Sequence, residues 1–255
     1  MTQARLRAAL VTGGAARIGA AIARDLARNN FAVAIHTHNS LAEAKSLIEE
    51  LGAEGARLAV VQGDLTDSAQ RGQLIERAVE AIGPLDLLVN NASQFEHDSI
   101  LDFDEALFDL HMTMHVKAPS LLARDFARQL PQGVAGVIVN IIDQRVWRLT
   151  PRFYSYTLSK AALWTATQTL AQALAPRIRV NAIGPGPTLK GSRQSEEDFA
   201  AQVEGLMLKA GPSLEEFGRT VRFLFDTPSI TGQMIALDGG QHLAWQTPDV
   251  AEIPE

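Results

Sequence analysis

Short runs of β-branched and other apolar residues alternate along this chain with longer stretches whose apolar residues recur every three or four positions. "LRAALVTGG" at the start reads as a buried strand, and "ARIGAAIARDLARNN" behind it as a helix with one apolar face. "FAVAIHTH" is strand-like, "LAEAKSLIEELG" helical and closed by glycine, and "ARLAVVQGD" a third strand. "AQRGQLIERAVEAIG" predicts another helix, followed by the strand "LDLLVNNAS". Further strands are "GVAGVIVNII", "RIRVNAIGPG" and "QMIALDGG", separated by helices near 104–130, 155–175 and 213–225. Such alternation requires a doubly wound α/β fold, an open parallel sheet with helices on both faces. In sheets of that kind ligands sit at the C-terminal strand ends, where the chemistry is to be sought.

Composition narrows this picture. The 255 residues suit one domain, 1–255, with no repeat or linker-like shift. The chain has no cysteine, which removes disulfides and thiolate metal sites; no metal is expected, and the cytoplasm is the expected compartment. No apolar run is long enough for a membrane span, and "MTQARLRAAL" has too short an apolar part for a secretory signal. A net charge of -6 argues against a nucleic-acid surface.

The first turn, "TGGAARIG", sets Gly13, Gly14 and Gly19 between a strand and a helix. Glycines there let backbone amides approach a pyrophosphate at the positive end of the helix. NAD sites usually carry an acid at the end of the second strand. Here that end is "IHTHNS", and no Asp or Glu occurs between Asp25 and Glu43. His36, His38, Asn39 and Ser40 would not repel a 2′-phosphate, and Arg17 supplies positive charge, so NADP(H) is expected. "GDLTD" offers Asp64 to an adenine amino group with Leu65 as an apolar wall. "NNAS" sets Asn91, Ala92 and Ser93 along the nicotinamide side. Each of these has an ordinary alternative as a helix cap or surface residue; their placement at successive strand ends favours a ligand.

Tyr156 and Lys160 stand one helical turn apart, on one face of a helix. Together with "TGGAARIG", "NNAS", "NAIGPGP" and "LDGG", they make the chain resemble the short-chain dehydrogenase/reductase family over nearly its whole length. The resemblance implies a Rossmann-like sheet of about seven strands, a homotetramer, and Tyr156 as general acid. Lys160 would lower that tyrosine's pKa and hold the nicotinamide ribose. Ile18, Pro185, Gly186 and Thr188 are cofactor contacts on the same ground.

One position departs from the family. Asp143 stands where a serine usually binds the oxygen of a ketone or alcohol. An ionised carboxylate opposes a developing oxyanion, but it suits a substrate that presents N–H donors or needs a proton on nitrogen. "NIID", "YSYTLSK", "HTHNS" and "NNASQF" are similar to the pteridine reductases and bacterial dihydromonapterin reductases. That branch implies substrate contacts from Arg17, Phe95, Asp143 and Tyr156, with Phe95 stacked on the pterin, and hydride transfer to a C=N bond of a pterin or dihydrofolate-like molecule. Phe95 has core packing as its equal alternative. His115 falls where the family carries an asparagine, and Asn39 where pteridine reductases often carry arginine. Residues 188–212 correspond to the substrate loop; 241–255 form a tail in which Trp245 suits an interface. The rival readings are a carbonyl reductase acting on ketones or quinones, a non-catalytic NADP sensor, and an enzyme of another cyclic imine.

Overall fold

The computed structural model describes residues 6–191, 194–247 and 251. Its strands are β1 (Arg7–Val11), β2 (Phe31–Thr37), β3 (Leu58–Gln62), β4 (Leu87–Asn90), β5 (Gly136–Ile141), β6 (Ile178–Pro185) and β7 (Met234–Leu237). The helices of the first half are α1 (Arg17–Arg28), α2 (Leu41–Gly52), α3 (Ser68–Gly72) and α4 (Leu74–Ile82). Those of the second half are α5 (Glu105–Met112), α6 (Ala118–Gln129), α7 (Tyr154–Leu174), α8 (Glu196–Glu204) and α9 (Leu214–Asp226). One seven-stranded sheet runs β3-β2-β1-β4-β5-β6-β7, and every neighbouring pair is parallel. The strand order reverses between β1 and β4, which opens a crevice at their C-terminal ends.

Period-two alternation sorts the strand side chains onto two cores. Ala9, Val11, Val33 and Ile35 face the layer of α1, α2 and α9, while Ala8, Leu10, Ala32 and Ala34 face that of α4 and α6. Because both faces are covered, all seven residues of β2 are buried.

Three expected elements change in detail. The single helix near 104–130 is interrupted by a π-helical turn, Thr113–Lys117. Pro119 has no N–H to give the carbonyl four residues back, so the helix must rewind there. The helix over 69–83 divides at Gly72, after a short turn capped by Asp67. Within the 188–212 loop a helix forms, α8, whose cap is Ser195. Residues 192–193 of that loop, and 248–250 and 252–255 of the tail, lie outside the described residues.

The first and last helices lock the domain. Arg222 of α9 grips the Asp25 carboxylate of α1 with two hydrogen bonds, at 2.5 and 3.1 Å. The contact is possible because Gly218 has no side chain: a Cβ there would lie 2.2 Å from Asp25 Cβ. Gly218→Val should therefore force the helices apart and cost about 1–3 kcal/mol, the usual penalty of overpacking. A lowered urea midpoint with an unchanged slope would bear this out, and an unchanged midpoint would refute it.

Candidate active site

At the switch point the C-terminal ends of β1, β2 and β3 border a cavity of about 230 Å³. Gly13, His38, Asn39, Ser40, Asp64, Leu65, Ala92 and Ser93 line it, all expected from sequence. Ala15, Ala16, Thr37, Gln94 and Met114 line it as well and carry no sequence signal of their own. Gly13 has φ 60°, a left-handed conformation that favours glycine. A Cβ on Gly19 would lie 2.1 Å from the Gly13 carbonyl oxygen, so α1 approaches the turn as only glycine allows. The N-cap of α1, Ala16, offers no side-chain acceptor, and the first turn holds no acid. A helix start without a side-chain cap, next to Ala15 and Ala16 of the cavity lining, fits a phosphate-bearing dinucleotide. The end of β2 carries no acid of its own, and the Asp64 carboxylate from the end of β3 comes within 3.9 Å of His38 Nε2.

The residues around the turn divide into lining and scaffold. His36, expected as a cofactor contact, also lines the cavity, with 2% of its surface exposed and both ring nitrogens engaged. Nδ1 accepts from the Gly13 N–H at 3.1 Å, and Nε2 donates to the Gly63 carbonyl at 3.0 Å. It ties the glycine turn to the end of β3 as a neutral ring, and burial lowers its pKa to about 4. Asn91 acts likewise, its amide donating to the carbonyls of Thr12 and Gly13. Thr12, not singled out in the sequence, accepts from the N–H groups of Asn91 and Ala92 on one hydroxyl. Asp64 spends Oδ1 on Thr66, its N–H at 2.8 Å and its hydroxyl at 2.7 Å. Ile18 packs against the core. Pro185, Gly186 and Thr188 lie at and beyond the end of β6, outside the cavity lining. Arg17, itself at φ 51°, reaches across to the carbonyls of Leu189 and Lys190 at 3.3 and 3.4 Å, joining the glycine turn to the start of the substrate loop.

Beside this cavity α7 presents Tyr156 and Lys160 to the end of β5. The Tyr156 hydroxyl donates to Asp143 Oδ2 at 3.1 Å, and the Arg145 N–H holds Oδ1 at 2.8 Å. Burial pushes the Asp143 carboxyl up; the Arg145 guanidinium, the Arg145 N–H and Lys160 pull it partway back. Lys160 does not touch the phenol oxygen. Its ammonium donates to the Ile141 carbonyl at 2.9 Å and lies 5.6 Å from the Tyr156 ring centroid. Burial brings its pKa down to about 8. Tyr156 stands well above the ordinary tyrosine value, first through burial and then through the charge of Asp143. Burial and the neighbouring carboxylate both favour the protonated phenol.

The π turn aims His115 at the same tyrosine. Its Nε2 accepts from the Gln94 N–H at 3.2 Å and meets the Ser93 hydroxyl at 3.0 Å. Nδ1 meets Ser159 Oγ at 2.8 Å, and that hydroxyl in turn donates to the Tyr156 carbonyl. These partners fix a neutral ring protonated on Nδ1, and burial keeps its pKa well below the ordinary value. One imidazole thus joins the loop after β4 to the catalytic helix. Phe95 lies edge-on to Tyr156, centroids 4.7 Å apart, and stacks on Phe153 at 4.4 Å. With 41% of its surface open, Phe95 is not a core residue.

Residues 7–200 match the family model described as short chain dehydrogenase. A 2-dehydro-3-deoxy-D-gluconate 5-dehydrogenase of Dickeya dadantii is 30% identical, over 92% of this chain and 94% of that one. The crystal structure of FolM alternative dihydrofolate reductase 1 from Brucella suis, in complex with NADP, is 56% identical. Its TM-score is 0.94, over 96% of this chain and 98% of that one. A short chain dehydrogenase from Burkholderia cenocepacia, also in complex with NADP, is 33% identical with a TM-score of 0.86, over 93% and 98% of the two chains.

The buried histidine of the glycine turn makes the fold sensitive to acid. His36 has a folded pKa of about 4 against 6.5 unfolded, so the unfolded chain binds the extra proton between those values. Stability is full above about pH 6.5 and falls as pH drops toward 4, by on the order of 3 kcal/mol from this residue. His111 and His115, also lowered by burial, add to the loss in the same direction. Urea unfolding from pH 7 to 4 should show the decline, and His36→Asn should flatten it while lowering stability at neutral pH. An equally steep decline in the variant would rule His36 out as a source.

Proposed function

The chain belongs to the short-chain dehydrogenase family, and on that premise we propose that it is an NADPH-dependent reductase of a C=N bond in a pterin or dihydrofolate-like substrate. The observation that carries this reading is the hydrogen bond from the Tyr156 hydroxyl to a half-buried carboxylate, Asp143. The likeness to the Brucella suis dihydrofolate reductase supports it. When bound, NADPH supplies the hydride. His38, Asn39 and Ser40 at the end of β2 suit its 2′-phosphate, and the uncapped start of α1 suits its pyrophosphate.

The chain's own groups manage the proton. Ionised Asp143 accepts N–H bonds from the substrate edge, which orients the ring. Protonated Asp143 passes a proton to nitrogen, and its raised pKa brings that form nearer to neutral pH. Tyr156, held as a phenol, is a donor; a dehydrogenase working in the oxidative direction would want the phenolate. Lys160 keeps a positive charge beside both groups below about pH 8 and stands where a ribose hydroxyl would meet it. Phe95 supplies a flat wall against which a pterin can stack, about 1 kcal/mol beyond burial. Assembly as a homotetramer in the cytoplasm accompanies this reading.

The test is NADPH oxidation with a 7,8-dihydropterin, run beside NADH and a panel of small ketones. Turnover of the dihydropterin, with NADPH strongly preferred to NADH, is the expected result. Turnover of ketones alone would overturn the reading. Asp143→Ser and Tyr156→Phe should each lower kcat by about 10²–10⁴-fold on the pterin, the range of general acid assistance. A carbonyl reductase would tolerate or welcome the serine.

A further inference from the structure

Among the described residues, five buried side-chain polar atoms have no hydrogen-bond partner. Gln144 Oε1 and Arg145 Nη1 sit on the turn directly after Asp143, Thr157 Oγ1 directly follows Tyr156, and His111 Nε2 belongs to a ring 5.9 Å from Tyr156. Orphaned polar atoms are rare in folded proteins, and their gathering around one pair of residues points to a ligand that completes them. Arg145 is the exceptional member, because the unmatched atom is part of a permanent cation.

Its surroundings hold that cation at the substrate side of the carboxylate. The Arg145 N–H fixes Asp143 Oδ1 at 2.8 Å. The guanidinium carbon lies 5.2 Å from the Phe95 ring centroid and 4.9 Å from that of Phe153, the distance of cation–π contact. Those rings stack on one another, so the planar guanidinium is braced by two aromatics while its charge also acts on Asp143. Its Nη1 is left without a partner. Phe95 also borders Tyr156, which puts the braced cation on the wall where a flat substrate would stack.

We propose that Arg145 is a specificity-determining residue: its Nη1 donates to a carbonyl oxygen of the bound ring while Asp143 accepts an N–H from the same edge. The pair would select a lactam, in which a ring N–H donor adjoins a C=O acceptor, over an amidine edge, in which a ring-nitrogen acceptor adjoins an NH2 donor and so sets a donor against the cation in the same pose. This rests on the pterin reading and goes further, since it names the edge that is read and the residue that reads it. A site built to hydrogen-bond an oxygen rejects the analogue that lacks it, because the buried donor is then left unpaired.

The test uses the full chain saturated with NADP and two probes, a 4-oxo pterin and its 2,4-diaminopteridine counterpart, with binding followed by protein fluorescence. Arg145→Met keeps the length and apolar packing on Phe95 and Phe153 but removes the donors. It should weaken the 4-oxo pterin by about 10–100-fold, the size of a lost hydrogen bond from a charged group, and leave the diamino compound within about twofold or tighter. NADP affinity and the melting midpoint should stay close to those of the wild type. Equal weakening of both probes would assign Arg145 to packing alone and overturn the proposal, as would no change in either. Absence of pterin binding by the wild type would overturn the pterin reading first and this inference with it, an outcome distinct from an effect confined to the variant.

Discussion

A parallel sheet covered on both faces can expose its strands only at their ends, and this constraint organises the molecule. Side chains in the middle of β1, β2, β4 and β5 are apolar and buried, so most polar groups are pushed to the loops that leave the C-terminal edge. Seven strands running the same way bring those loops to one edge of the molecule. The glycine turn, the segment after β4, Asp143 after β5 and the loop after β6 are distant in sequence and neighbours in space for this reason alone. Thr12 bonded to Asn91 and Ala92, and His36 bonded to Gly13 and Gly63, are the rivets that hold neighbouring loops in register.

Much of this was legible in the chain because it depends on local pattern. Strand and helix periods, glycines at a turn, and a tyrosine and lysine one turn apart are short-range signals. They placed the sheet and gathered most of the cavity lining. What escaped depends on partners far away in sequence. Nothing near His36 tells that its two nitrogens will be consumed by Gly13 and Gly63; a strand-end histidine looks the same whether it faces a ligand or a backbone. Thr12 reads as part of a glycine turn until the segment after β4 folds onto it. The π turn at 113–117 had a cue in Pro119, but the consequence, His115 aimed at Ser93 and Ser159, belongs to tertiary packing. Arg145 was hidden by its type, since an arginine after a strand usually means surface.

His115 illustrates how one substitution rearranges a site's hydrogen bonds. An asparagine amide at this position offers a donor and an acceptor on a short arm, with room for water. The imidazole is longer and fills the space, and its two nitrogens reach Ser93 with Gln94 on one side and Ser159 on the other. Two chain segments are then joined by a dry ring. Burial beside Lys160 and stacking on His111 disfavour a second proton, so the bridge keeps one tautomer across the neutral range.

The electrostatics of the centre argue for a direction of reaction. Asp143 and Tyr156 share a hydrogen bond in poor solvation, where two negative charges would repel strongly. If the carboxyl is ionised the phenol must keep its proton; if the phenol were to ionise, the carboxyl would have to be neutral. Arg145 and Lys160 offset part of the carboxylate's burial, and this favours the first arrangement over the second. The resting site therefore holds a proton on Tyr156 and an acceptor at Asp143. A serine in place of Asp143 would remove that repulsion and ease ionisation of the phenol.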